Sequence, residues 1–259
     1  MKKKDLRIFL ESISLEFSQR ELVKTDPIRY VYKYSDQTDQ EIVAFISSLF
    51  AYGNVAAIFK GIESVIANLG EHPSQSILQL HPDQIRKRLK SAYYRFYRSE
   101  DIVQLILAIR HCLINEKSLG ESFKTAWTGD VCKSLYAFNQ KLKQNIKINS
   151  VGLKYMFPNP LNGVAKRNHM FLRWMARKDE IDLGLWNFIS PSKLLIPLDT
   201  HLFDISKRLG LTKRLSASRN AVLEITGKLR ELNPNDPLKY DFALCRLGIL
   251  KLKNSYLSF

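Results

Sequence analysis

In residues 161–176, LNGVAKRNHMFLRWMA, a polar turn gives way to a helical pattern at Lys166. Asn162 and Gly163 are turn residues, whereas Met170, Phe171 and Trp174 recur at helical spacing. A tight turn feeding a helix puts Lys166 at the helix entrance, where the first-turn amides suit a phosphate. The positive end of the helix dipole, with any burial, disfavours a charge on Lys166, and a neutral amine is a nucleophile. A lysine at a helix entrance also fits a plain surface cation.

A second stretch, 197–211, reads PLDTHLFDISKRLGL. Leu202, Ile205 and Leu209 keep helical spacing, and Asp199 stands where a carboxylate caps a helix by accepting from its first-turn amides. Such a carboxylate stays ionised. Asp199 fits a cap alone or a partner for Lys166.

The rest of the chain agrees with an all-α fold. Leu6, Phe9, Leu10, Ile13 and Phe17, and later Ile102, Leu105, Ile106, Ile109 and Leu113, repeat at helical spacing, with almost no strand-like alternation. Thr38 with Glu41 and Ser118 with Glu121 fit capping boxes, and Ser99 before Glu100 and Asp101 suits a helix start. Gly70, Gly120 and Gly210 fit stops or turns. About ten helices are expected. The breaks fall at 146–163 and 190–197, just ahead of Lys166 and Asp199. With no repeat and no linker, the chain is expected to form one helical unit of two lobes around a cleft. Lobe A comprises 1–37 with 212–259, and lobe B comprises 38–211.

The chain has 259 residues, 45% hydrophobic, enough to bury a core. Forty Lys and Arg against 25 Asp and Glu give a formal charge of +15, which favours polyanions, nucleic acid first. Cys112, Cys132 and Cys245 lack paired spacing, so neither a disulfide framework nor a cysteine metal site is indicated, and reduced, buried thiols are expected. After MKKK, Asp5, Glu11 and Glu16 interrupt what would be a signal core, and no apolar run has the length of a membrane span. A soluble cytoplasmic protein is expected.

Gly163-Val164 ahead of Lys166, with Leu198-Asp199-Thr200-His201 running on to Lys207-Arg208-Leu209-Gly210-Leu211, resembles the helix-hairpin-helix DNA glycosylases of the endonuclease III superfamily. There a Gly-Val hairpin leads to a helix bearing the catalytic Lys, and an Asp-Thr-His-like run bears the catalytic Asp. The separation of 33 residues between Lys166 and Asp199 is most similar to the archaeal 8-oxoguanine DNA glycosylases. Residues 237–248, PLKYDFALCRLG, also resemble the terminal helix of those enzymes. The whole chain, with Asp26-Pro27, Phe50-Ala51-Tyr52-Gly53-Asn54 and Leu172-Arg173-Trp174-Met175, further looks like a bacterial family of uncharacterised proteins.

The resemblance implies an all-α, two-lobed enzyme of base-excision repair with glycosylase and AP lyase activity. It would act as a monomer on damaged duplex DNA, with 8-oxoguanine as the implied base and no cofactor. Lys166 would be the nucleophile, Asp199 its carboxylate partner, and Asp241 a contact to the flipped base. The hairpin Asn162, Gly163, Val164 and Ala165, with Arg167, would meet the DNA backbone. Ala165 replaces the usual second glycine, and the hairpin is one residue shorter. Cys245 stands where the archaeal enzymes place a stacking Trp, and Asn54 is the nearest stand-in for the DNA-inserting Gln. The iron–sulfur cysteine quartet of endonuclease III has no counterpart.

Trp174 and Trp186 suit either stacking on an extruded base or the core. Arg167, Arg173, Arg177 and Lys178 suit either phosphate contacts or a solvated face. Asp179 and Asp182 lack a histidine partner and read as caps rather than metal ligands. His72, His111 and His169 share no ligand spacing, and the resemblance gives His201 a structural role. A non-catalytic DNA-binding module and an RNA- or nucleotide-processing enzyme are the rival readings.

Overall fold

A computed structural model of the protein describes residues 3–250 and 252–256. Among them are fourteen α-helices, three short 3-10 helices and no strand, only the isolated bridges Tyr94–Tyr97 and Lys178–Leu183. The all-α expectation holds. The helices outnumber the ten expected because turns split the pattern into pieces as short as four to seven residues.

The chain divides into two compact units. The first comprises residues 1–24 and 160–259, the second residues 25–159. The expected lobes drew their boundaries elsewhere, with 38–211 in one lobe and 1–37 with 212–259 in the other. Residues 160–211 belong with the chain ends because the helix Thr200–Arg208 packs on the helix Asp241–Ile249, to whose first residue Arg173 is paired.

The second unit holds α2 (Gln37–Phe50), α3 (Val55–Leu69), α4 (Pro73–Gln79), α5 (Pro82–Arg88), α6 (Ser99–Glu116), α7 (Leu119–Ala126), α8 (Val131–Lys143) and α9 (Val151–Met156). Helices α2 and α6 form its centre, each buried over most of its length. Phe138 packs edge-on against both Phe45 and Phe123. Helix α2 starts ahead of Thr38, because Asp36 in extended conformation accepts from the Asp39 amide at 2.9 Å. Ser118 caps α7 as expected, accepting from the Glu121 amide at 3.1 Å. Gly120 is no stop: it lies in the first turn of α7, where its amide donates to the buried Glu41 carboxylate at 2.8 Å. Asp101 accepts from the Arg98 amide at 2.8 Å and so fixes the start of α6. Gly70 ends α3 at φ 78°.

The first unit holds α1 (Lys3–Phe17), α10 (Lys166–Ala176), α11 (Thr200–Arg208), α12 (Arg219–Leu232), α13 (Asp241–Ile249) and α14 (Lys253–Tyr256). Helix α13 is its spine, packed against α1 on one side and α11 on another. The α11–α13 contact is close. A Cβ on Gly248 would stand 2.6 Å from the Cβ of His201. No described helix is long and apolar enough to cross a membrane.

Candidate active site

Helix α10 begins at Lys166, where the sequence pattern placed its start. Its N-cap is Ala165, in left-handed conformation at φ 45°, ψ 38°, with no capping side chain. A left-handed residue turns the chain sharply enough to launch the helix at once, and an L side chain there carries strain that glycine avoids. The position where glycine is usual in the resembled hairpin thus keeps a glycine-like backbone.

Helix α11 begins at Thr200 with Asp199 as N-cap, its Oδ1 accepting from the Leu202 amide at 2.8 Å. The preceding residues Leu194, Leu195, Ile196 and Leu198 are buried, and Thr226 Oγ1 accepts from the Ile196 amide at 3.1 Å. A buried, hydrogen-bonded lead-in and a capping bond fix the Asp199 carboxylate from both sides. Its other oxygen, Oδ2, lies 3.5 Å from Lys166 Nζ, with the side chains 29% and 21% exposed. The fold thus brings together an amine and a carboxylate from the starts of two helices, both open to a reactant.

The other candidates take different places. Trp174 is fully buried and Trp186 nearly so, with Phe171 edge-on and Phe188 stacked against Trp186. Both are core residues. Arg167, Arg173 and Arg177 are buried, so of these three and Lys178 only Lys178 is exposed. Cys245 is half-buried; burial, then the charge of Asp199, push its thiol up to about 12, which keeps it neutral and unreactive. Cys112 and Cys132 are buried free thiols. Within the hairpin Asn162 is exposed, Gly163 and Val164 are half-buried and Ala165 is buried. Asn54, in the second unit, caps α3, its Oδ1 accepting from the Ala56 amide at 2.9 Å.

Asp241 is buried and pairs with Arg173, so the carboxylate expected to meet a base is engaged inside the protein. Arg173 also holds Asp182, Nε to Oδ1 at 3.1 Å. Arg177 reaches Asp179, Asp182 at 2.8 Å and Asp236 at 2.8 Å. Burial works against the charge of Arg177, but Asp182, Asp179 and Asp236 outweigh it and raise its pKa. Burial favours the neutral form of Asp182 in spite of Arg173 and Arg177. Asp179 and Asp182 are therefore ion-pair partners. Sequence reasoning missed this network; its signal was two arginines four residues apart followed closely by two aspartates.

Among the described residues no group of His, Cys, Asp and Glu has the arrangement of a metal site. A cavity of about 820 Å³ lies in the second unit, lined by Lys33, Asp36, Asp39, Glu63 and His72 among others, and includes neither Lys166 nor Asp199.

The model of a family described as a protein of unknown function, DUF2400, matches residues 26–250. The chain belongs to this family. Among solved structures, this DUF2400 chain is similar to endonuclease III trapped as a covalent intermediate with DNA, in an estranged-adenine complex. The identity is 12%, the match covers 95% of this chain and 86% of that one, and the TM-score is 0.47. No curated protein matches the DUF2400 chain.

Proposed function

We propose that this protein is a DNA base-excision enzyme that uses Lys166 as nucleophile and Asp199 as its carboxylate partner. The observation that carries the reading is the 3.5 Å approach of Lys166 Nζ to Asp199 Oδ2, two partly exposed groups at the starts of α10 and α11. A nucleotide extruded from damaged duplex DNA presents its C1′ to Lys166. The amine's lone pair attacks C1′ as the base departs with the bonding electrons, and loss of the amine's protons with ring opening gives a Schiff base. Abstraction of a proton from C2′ then expels the 3′ phosphate by β-elimination. Asp199 stabilises the cationic sugar and accepts the amine's hydrogen bond. The formal charge of +15 supports a polyanionic substrate, with the loop through Asn162, Gly163 and Val164 as backbone contact. The enzyme acts as a monomer.

The base is left to experiment, since Trp174 is core, Asp241 is paired and Cys245 is an inert thiol. The test is borohydride trapping on a panel of duplexes, each with one lesion, 8-oxoguanine included. A covalent adduct on at least one lesion duplex, with release of its base, supports the reading. No adduct on any lesion or on an abasic duplex would reduce Lys166–Asp199 to an ordinary ion pair, worth ~0–1 kcal/mol.

A further inference from the structure

The second unit carries exposed aromatic rings where three segments meet. Tyr155 lies with its ring centroid 4.8 Å from that of Tyr52 and 5.1 Å from that of Phe96. Phe96 is 50% exposed and Tyr155 40%. Beneath them Tyr97 is fully buried and donates its hydroxyl to the Leu49 carbonyl at 2.9 Å, so the outer rings rest on a fixed floor. Two large aromatics side by side in water are a departure from ordinary surfaces and point to a contact made there.

The backbone is arranged to display them. Tyr94 and Tyr97 exchange backbone hydrogen bonds of 2.9 and 2.8 Å, closing a two-residue turn that projects Arg95 and Phe96. Arg95 is held at φ 52°, a conformation an L residue adopts at a cost. Its guanidinium lies 5.4 Å above the Tyr52 ring. Gly53 makes room for it, since a Cβ there would stand 2.8 Å from Arg95 Nη1. A strained turn with a cation against one ring and a second ring beside it is more than a by-product of packing.

Charge names the occupant. The three segments, 51–60, 91–98 and 144–157, contain Lys60, Arg95, Arg98, Lys147 and Lys154 and no Asp or Glu. The acid that adjoins these segments, Asp101, is buried and accepts from the Arg98 amide and the Ser150 hydroxyl. Flat rings with Arg95 against one of them and further cations in the same segments are therefore complementary to unpaired bases joined by phosphates. We propose that the Phe96–Tyr155 face binds single-stranded DNA by stacking bases on the two rings, with Arg95 and its neighbouring cations on the phosphates. The platform does not depend on chemistry at Lys166; only the choice of DNA over RNA rests on the reading of that site.

The test is fluorescence anisotropy of the full chain with labelled, lesion-free oligothymidylate, oligouridylate and blunt duplex. Phe96→Ala with Tyr155→Ala is expected to weaken oligothymidylate binding by about tenfold or more, because stacking is sequence-tolerant and strong per base, while duplex binding changes less than about twofold. Phe96→Tyr with Tyr155→Phe keeps wild-type affinity. Should the alanine pair unfold, light-induced crosslinking of wild type to iodouracil-containing single strands decides, with adducts expected on Phe96 or Tyr155. Equal losses on single strand and duplex, adducts elsewhere only, or a peptide bound at this face in place of the oligonucleotide would overturn the proposal. Tighter binding of oligouridylate would overturn the assignment to DNA. Single-strand binding without lesion trapping would sink the proposed activity alone, and trapping without single-strand binding would sink the platform alone.

Discussion

Asp241 and Arg173, far apart in sequence, form an ion pair inside the first unit, with their side chains 3% and 5% exposed. Burial pushes the Asp241 carboxyl up to about 6 in spite of Arg173, with Asp182 and Asp199 adding to the rise. The folded pKa exceeds the unfolded one, so the native state binds the extra proton between about pH 4 and 6. Stability gained this way grows as pH falls through that window. Asp241→Asn lacks the proton site, so its melting temperature relative to wild type should fall as pH is lowered from 7 to 4. A pH-independent difference would contradict the burial argument. Arg173→Met leaves Asp241 without its ion-pair partner and Asp182 with Arg177 alone, and should cost about 3–5 kcal/mol at neutral pH.

His169, on the same helix, titrates in the opposite sense. Burial, with the charge of Arg219 behind it, lowers its pKa to about 4. The unfolded chain therefore takes up the proton first as pH falls below about 6.5, and stability is lost between there and about 4. His169→Gln removes this loss, so relative to wild type the variant should gain stability on acidification. Denaturant midpoints at neutral and mildly acid pH measure it, and a widening deficit for the variant would refute it.

Gly248→Ala should destabilise the α11–α13 contact by about 1–3 kcal/mol, since the new methyl meets His201 Cβ at 2.6 Å. The obstacle is the Cβ itself, so His201→Ala should not rescue the variant and His201→Gly should. Calorimetry of the two double variants distinguishes them. Rescue by His201→Ala would show that the imidazole, not the close helix approach, sets the limit.

At Ala165 two effects nearly cancel for glycine. Relief of a left-handed alanine is worth ~1–2 kcal/mol, against the greater unfolded-state freedom of glycine and one lost buried methyl. Ala165→Gly should therefore lie within about 1 kcal/mol of wild type. Ala165→Val, β-branched in the same conformation, should cost about 2 kcal/mol or more and disturb the placement of Lys166. Chemical denaturation of both variants checks this. Equal stability of the valine and glycine variants would mean that Ala165 is not held in the left-handed region.

Local signals in the sequence placed the starts of α10 and α11 because each is written in a few consecutive residues: a turn before Lys166, and Asp199 ahead of a helical repeat. The 3.5 Å meeting of the two residues followed from resemblance, since spacing alone does not say that two helix starts converge. The arginines and aspartates misled for the same reason. On a helical projection Arg173 and Arg177 look like a cationic face, and only tertiary packing reveals that Asp182, Asp236 and Asp241 close over them. Trp174 read as a wall for a base or, more often for such a residue, as core, and its burial decides for core. The two compact units differ in their boundaries from the expected lobes because they depend on which helices α13 gathers, a long-range property without a local code.

The most direct measurement of the central claim is borohydride trapping on a duplex with a pre-formed abasic site, which bypasses base recognition and asks only whether Lys166 is the nucleophile. Wild type should give a covalent adduct and Asp199→Asn much less. Lys166→Gln should give none while its DNA affinity stays within a few-fold, because one cation among many phosphate contacts matters little. An undiminished adduct with Lys166→Gln, or none with wild type, would contradict the assignment.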